Sequence, residues 1–329
     1  MVLKNKYVVG CLVQFYEIEM LPEYIASCKQ MLEGIENPEN VTFDFTIGLQ
    51  EHFEKIDYEA FGEIFLGPII RKFEKIISNF LNYNISVKDT EDEFYNIASY
   101  RRDLNYNYCN DVDFVLWGET DSLWPQQTLQ IIEAVSEMKE SVPKFVLSFA
   151  TRVNWDPSWD KIRHPLFRNE KFTEDDSWVL GNEASEKAYM SLDRMNEINS
   201  QAKNIEFDVF SQPKADGSCL VISSELIKSG VNIPHALLHC GEDESFLRMA
   251  KLIMGNQFTQ YHVKNILRVH NRRHPKKRMY VLGEDNPRGF CTAEKKGDWW
   301  LFLEKYSKEN LENLEKQVKF RKIDEIINR

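Results

Sequence analysis

Short apolar runs and helical periods take turns along the first half of the chain, and that alternation limits the fold more than any other feature. Tyr7 to Phe15 (YVVGCLVQF) reads as a buried strand, and Leu21-Pro22 then begins a helical pattern that Gly34 stops. Asn37 to Asn40 is a turn, and Val41 to Leu49 (VTFDFTIGL) is a second strand. Residues 50–65 give no clear signal. A helical period within Leu66 to Leu81, a short strand at Ile85 to Val87 and a helical stretch from Glu91 to Cys109 follow. Phe114 to Trp117 is apolar enough for a buried strand, Pro125 opens a helical segment that ends near Glu140, and Lys144 to Ala150 (KFVLSFA) is strand again. Strands joined through helices pair in parallel, because the helix is the crossover that returns the chain to the same edge. The expected fold is α/β and Rossmann-like, with a mostly parallel central sheet and helices on both faces.

The second half is less regular. Residues 151–217 are rich in Trp, Asn and Asp with weak periodicity, and strand character returns at Cys219 to Ser223 (CLVIS). Gly241 to Met254 has a helical pattern whose first turn carries Glu242, Asp243 and Glu244, favourable near the positive end of a helix. Phe258 to Val263 and Ile266 to Val269 read as a terminal pair of strands, and residues 299–328 as a polar, amphipathic helical tail. There is no repeat or low-complexity tract. The expectation is one domain over residues 1–290, with halves at 1–150 and 151–290, and a C-terminal helical extension at 291–329. That extension either covers the core or mediates a homodimer.

A chain of 329 residues can bury a large core, and its net charge of −11 argues against a nucleic-acid binder while leaving room for a local basic cluster. The apolar run near the N-terminus is broken by Gln14 and Glu17 and lacks a small-residue cleavage site, so it reads as a strand and not as a signal peptide. No run approaches the ~18 apolar residues of a membrane span. The six cysteines lack CxxC spacing and read as free thiols in a reducing compartment, which makes the expected location cytoplasmic.

Chemistry enters at Asp111 to Pro125 (DVDFVLWGETDSLWP), where the buried strand ends in Gly118-Glu119-Thr120-Asp121. Residues two apart on an extended backbone point to one side, so Glu119 and Asp121 can face one object together. Carboxylate oxygens suit hard divalent cations such as Mg²⁺ or Mn²⁺. The pair is also what a solvated turn looks like. In a parallel sheet, however, ligands bind at the carboxyl ends of the strands, which is where this pair falls.

Three separated segments share one resemblance. The strand followed by Glu119-Thr120-Asp121 resembles the DxD motif of the GT-A-fold nucleotide-sugar glycosyltransferases, those of family 2 above all, with Glu in the first place. Gly241-Glu242-Asp243, with Arg248 behind it, is similar to that family's acidic helix start. Ile266 to Pro275 (ILRVHNRRHP) resembles the Arg-Val-x-His segment of polypeptide GalNAc transferases, without the spacer before His270. A weaker match is Ser99 to Tyr106 (SYRRDLNY), in which Arg102-Asp103-Leu104 stands where the family has Arg-Asn-Leu.

The resemblance implies a hexosyltransferase with a GT-A fold, whose first half binds a nucleotide-sugar donor, UDP-linked in the first instance, and whose second half binds a glycan or other hydroxyl acceptor. It implies a Mn²⁺ or Mg²⁺ cofactor on Asp121, with Glu119 in support and His270 as third ligand, His274 being the competitor. It implies Asp243 as general base of an inverting transfer, with Glu242 as the neighbour that can take the role. Donor contacts are expected from Gln14, Tyr16 and Glu17 after the first strand, from Gln50 after the second, and from Arg102, Arg272 and Arg273. Trp155 and Trp178 are the candidate acceptor contacts. Two other readings stay open at this point: a nucleotidyltransferase on a related fold, for which GCLVQFYE lacks the Gly-rich phosphate loop, and a catalytically silent glycan-binding protein.

Overall fold

The computed structural model describes residues 1–14, 17, 20–48, 71, 73–78, 80, 82–88, 95–138, 142–152, 157–169, 189–211, 214–238, 241–271, 303 and 305–314. Strand β1 (Tyr7–Gln14) leads into helix α1 (Leu21–Met31), and the chain continues through β2 (Val41–Gly48), β3 (Tyr83–Lys88), α2 (Ile97–Tyr108), β4 (Phe114–Glu119) and the short β5 (Ser122–Leu123). Helix α3 (Thr128–Glu137), β6 (Phe145–Ala150), α4 (Leu192–Asn199), β7 (Phe207–Phe210), β8 (Leu220–Ser223), α5 (Ser224–Lys228), α6 (Glu242–Met254), β9 (Thr259–Leu267) and β10 (Val269–His270) complete the order.

Among the described residues eight strands form one sheet in the order β3-β2-β1-β4-β8-β6-β9-β7. The pairs β2–β3, β1–β2, β1–β4 and β6–β9 are parallel, whereas β8 runs against both β4 and β6, and β7 against β9. The expected mostly parallel α/β sheet is therefore present. Side-chain alternation puts a separate core on each face. On one face Val9, Cys11, Val13, Phe114, Leu116, Phe145, Leu147 and Val221 pack with Tyr24 and Ile25 of α1 and Ile132 and Val135 of α3. On the other, Val8, Leu12, Val115, Trp117, Val146, Leu220 and Ile222 pack with Ala98, Tyr100 and Leu104 of α2 and Phe246, Leu247 and Ala250 of α6.

The expected terminal strand pair is one strand, β9, whose pairing with β6 jumps in register between Phe149 and Ala150, after which the chain leaves for β10 in a second, two-stranded sheet with β5. Helix α4 and edge strand β7 lie in the stretch where periodicity was weak. Ser191 caps α4 by accepting a hydrogen bond from the Arg194 amide at 3.3 Å. In the C-terminal extension residues 305–314 are helical, with Leu303 and Leu311 buried. There the Ser307 hydroxyl accepts from the Leu238 amide at 3.1 Å, and Asn310 donates to the Ala236 carbonyl at 2.8 Å. This segment therefore covers the core. Cys11, Cys28, Cys109 and Cys219 are free and buried, as expected. Among the described residues no helix is long and apolar enough to cross a membrane.

Candidate active site

Strand β4 ends at the carboxyl edge of the sheet, and its last residues carry the chemistry. Gly118 makes this possible: a Cβ there would sit 2.0 Å from the Tyr24 hydroxyl and 2.9 Å from the Gly10 carbonyl. Only glycine lets the strand run this close to α1. Beyond Glu119 the chain turns through Thr120, whose hydroxyl donates to the Glu17 carboxylate at 2.5 Å. Strand β5 then pairs antiparallel with β10, setting Ser122 opposite His270, and the Asn271 amide donates to the Asp121 carbonyl at 2.6 Å. That short ladder brings His270, some 150 residues away in sequence, onto the acidic turn.

The outcome is a compact three-residue cluster. One ligand atom each from Glu119, Asp121 and His270 lies within 4.8 Å of the others. His270 Nε2 is 3.2 Å from a Glu119 oxygen and 3.4 Å from an Asp121 oxygen. An octahedral ion with bonds of ~2.1 Å holds neighbouring ligand atoms about 3 Å apart, so this spacing and the two-oxygen, one-nitrogen donor set fit Mn²⁺ or Mg²⁺.

A second shell of charge surrounds the three. The buried Arg101 of α2 lies between carboxylates, touching Glu119 at 2.5 Å on one side and Glu242 on the other, with its guanidinium 4.9 Å from the Trp117 ring. Behind His270, Nδ1 is 3.3 Å from an Asp216 oxygen, and Asp216 also pairs with the buried Arg268. Asp243, in the first turn of α6, accepts from the Gly217 amide at 2.8 Å and from the Glu244 amide at 2.7 Å. Five carboxylates thus share two guanidiniums and one imidazole, an excess of negative charge that calls for a cation.

The titration directions follow. Burial alone would strip the proton from His270, yet Asp121 and Asp216 outweigh it and hold the imidazole well above its ordinary value. Burial pushes Glu119 up, and Arg101 and His270 more than reverse that. Burial also opposes ionisation of Asp216, but Arg268 and His270 hold it well below the usual carboxylate range. Asp243 is raised, by burial first and then by Asp216. Burial raises Glu242 to about 7 against the pull of Arg101.

Some expectations land elsewhere. Arg102 does not face the cluster: its guanidinium donates to the carbonyls of Ile233 at 2.9 Å and Pro234 at 3.2 Å. One residue is 100° of helix, and Arg101 is the arginine that reaches the site. Glu242 is committed to Arg101, which leaves Asp243 the more available carboxylate of the two. Gln14 lies opposite Gly48 at the ends of β1 and β2, and Glu17 anchors the acidic turn. Tyr16, Gln50, Arg272, Arg273, His274, Trp155 and Trp178 lie outside the described residues.

The sequence reading passed over Arg101, Asp216, Ser218 and the role of Arg268. For Arg101 a signal existed, since it shares the buried stripe of α2 with Ala98, Leu104 and Asn105. Asp216-Gly217-Ser218 is an acidic turn like Glu119-Thr120-Asp121. It precedes a strand instead of following one, and only the reversed direction of β8 brings it to the same edge.

No protein-family profile matches the chain, and no curated protein matches it in sequence. Among solved structures it is similar to residues 1–349 of TarS from S. aureus, with 14% identity and a TM-score of 0.41, over 79% of this chain and 60% of that one. The same protein in complex with UDP-GlcNAc gives 13% identity and a TM-score of 0.41, over 78% and 58%. The chain therefore spans less than two thirds of each of these two structures.

Proposed function

We propose that this protein is a metal-dependent glycosyltransferase of GT-A type, related to family 2, which moves a sugar from a nucleotide donor, UDP-linked, to an acceptor hydroxyl with inversion. The observation that carries the reading is the convergence of Glu119, Asp121 and His270 at the carboxyl edge of the sheet, with Asp243 on the adjoining helix start. Asp121 anchors the ion, Glu119 supports it and His270 is the third ligand. A divalent ion held there supplies positive charge to a diphosphate leaving group.

In the proposed transfer the acceptor oxygen bonds to the anomeric carbon from the face opposite the diphosphate. The carbon–oxygen bond to the phosphate breaks, and the diphosphate leaves with its electron pair. Asp243 takes the hydroxyl proton. Its raised affinity for a proton suits a base, and each of its oxygens keeps a lone pair beyond the one bonded to a backbone amide. Inversion is the choice on the resemblance alone: the polypeptide GalNAc transferases, which retain the anomeric configuration, have an amide at the position that Asp243 takes here. Gln14, Tyr16 and Gln50 are assigned to the donor base, Arg272 and Arg273 to the diphosphate, and Trp155 and Trp178 to the acceptor. A cytoplasmic location belongs to the same proposal.

UDP-, GDP- and dTDP-sugars tested as donors should single out a UDP-sugar whose UDP is released with Mn²⁺, not with EDTA, and again once Mn²⁺ is restored. Asp243→Asn should bind Mn²⁺ and UDP as wild type does and turn over at least about 10²-fold more slowly. Full-rate release in EDTA ends the metal reading, and an active Asp243→Asn ends the base assignment.

A further inference from the structure

We infer that Asp216 is the positioning residue that makes His270 a metal ligand: by accepting a hydrogen bond from Nδ1–H it keeps that proton in place, so that Nε2 is the nitrogen left for an ion held with Glu119 and Asp121. This rests on the metal reading above and goes beyond it to a residue that no motif marks. An imidazole has two nitrogens, and one that carries its proton on Nε2 cannot bind an ion through that atom. Which nitrogen is bare is decided by the partner of the other.

Here the other partner is built in. Asp216 Oδ2 lies 3.3 Å from Nδ1, while Nε2 on the far side of the ring lies 3.2 and 3.4 Å from the two carboxylates that would share the ion. Asp216 has no freedom to turn away. Its Oδ1 accepts from both the amide and the hydroxyl of Ser218, each at 2.9 Å, and its Oδ2 is paired with Arg268. Arg268 is itself fixed: its guanidinium donates to the Ser218 hydroxyl, and its amide donates to the Ala150 carbonyl at the end of β6 at 2.9 Å. His270 stands two residues further on, so backbone and side chain of one segment set ring and carboxylate against each other.

The same turn also reaches the proposed base. The amide of Gly217 donates to Asp243, and a Cβ at position 217 would lie 2.6 Å from Arg101 and 2.9 Å from Asp243. Cys219, next in the chain, has φ 55, in the left-handed region that non-glycine residues seldom adopt. The Asp216-Gly217-Ser218 turn is thus clamped between the metal histidine and the base.

The test is Mn²⁺ binding to the full-length chain, followed by the electron paramagnetic resonance signal of the free ion. Asp216→Asn keeps the size of the side chain and removes its charge. It should weaken Mn²⁺ binding by about 10–100-fold, with unchanged circular dichroism. Asp216→Glu should recover part of the loss, which a packing role would not allow for the longer side chain. If Asp216→Asn binds as wild type while His270→Ala is weakened, this inference fails and the metal reading stands. If wild type binds no Mn²⁺, or His270→Ala binds as well as wild type, the metal reading itself fails. Should the variants not fold, ¹⁵N spectra of His270 in Mg²⁺-loaded wild type decide: a proton on Nδ1 supports the inference and a proton on Nε2 overturns it.

Discussion

The two edges of the sheet both bury carboxylates, and they treat them in opposite ways. At the amino edge Glu133 of α3 accepts from the backbone amides of Lys4 and Asn5 at 2.9 and 3.1 Å, from the Asn5 side chain at 3.0 Å and from the Tyr7 hydroxyl at 2.7 Å. Every donor is neutral and fixed, and the carboxylate serves as a clamp on the start of β1. At the carboxyl edge Glu119 and Asp121 face each other across a histidine, with a third carboxylate behind it. Saturation with neutral donors makes a buried acid structural. Crowding of like charge makes it a place for a cation.

The largest effect should come from the carboxyl edge. Asp121→Ala removes the proposed anchor of the ion, and turnover of a UDP-sugar should fall by about 10²–10³-fold, the loss typical of one electrostatic contact to a leaving charge. Calorimetric Mn²⁺ binding should vanish with it. The melting temperature in EDTA should hardly move, because the repulsion from Glu119 that is relieved offsets the pairing with His270 that is lost. A variant that unfolds while its surviving fraction stays active would reverse the contrast between the edges.

Glu133→Ala should give the mirror image. It leaves the buried Tyr7 hydroxyl and the part-buried donors of Lys4 and Asn5 without their acceptor, at a cost of about 2 kcal/mol for the set. Urea denaturation reads that loss directly. Mn²⁺ affinity and the rate per folded molecule should match wild type, because the clamp lies at the far edge. A change in Mn²⁺ affinity would mean that the two edges are mechanically coupled.

What could be read before the structure follows the same division. The apolar runs at Val8–Val13, Phe114–Trp117, Val146–Phe149 and Leu220–Ile222 are strong because those strands are buried on both faces, and they gave the sheet. The half-buried FDVF of β7 has no such run, so it was passed over. Within the site, Glu119, Asp121 and Asp243 were legible because each stands at the end or start of a readable element. Asp216 was not, because its place depends on the direction of β8, and strand direction leaves no mark in local periodicity. Arg101 was lost to its neighbour Arg102, since a motif aligned by letters ignores which of two adjacent residues faces inward.

A third buried group, away from both edges, tests whether company and not burial sets the role. His262 in β9 is enclosed by Ser148, whose hydroxyl is 3.0 Å from Nδ1, and by the stacked ring of Phe210 at 5.1 Å. Burial drives its pKa down to about 4, with Asp208 pulling weakly the other way, whereas His270, eight residues on, is driven up by carboxylates. The folded protein then holds His262 neutral while the unfolded chain takes up a proton near pH 6.5. The stabilisation is complete above pH 6.5 and is lost as pH falls from there toward 4. By pH 5 the loss amounts to about 2 kcal/mol. Chemical denaturation of wild type and His262→Gln at pH 7.5 and pH 5 isolates it: the variant's stability should fall by about 2 kcal/mol less between the two values. Equal losses would mean that His262 is protonated inside the fold, and that a buried histidine here needs no carboxylate to keep its charge.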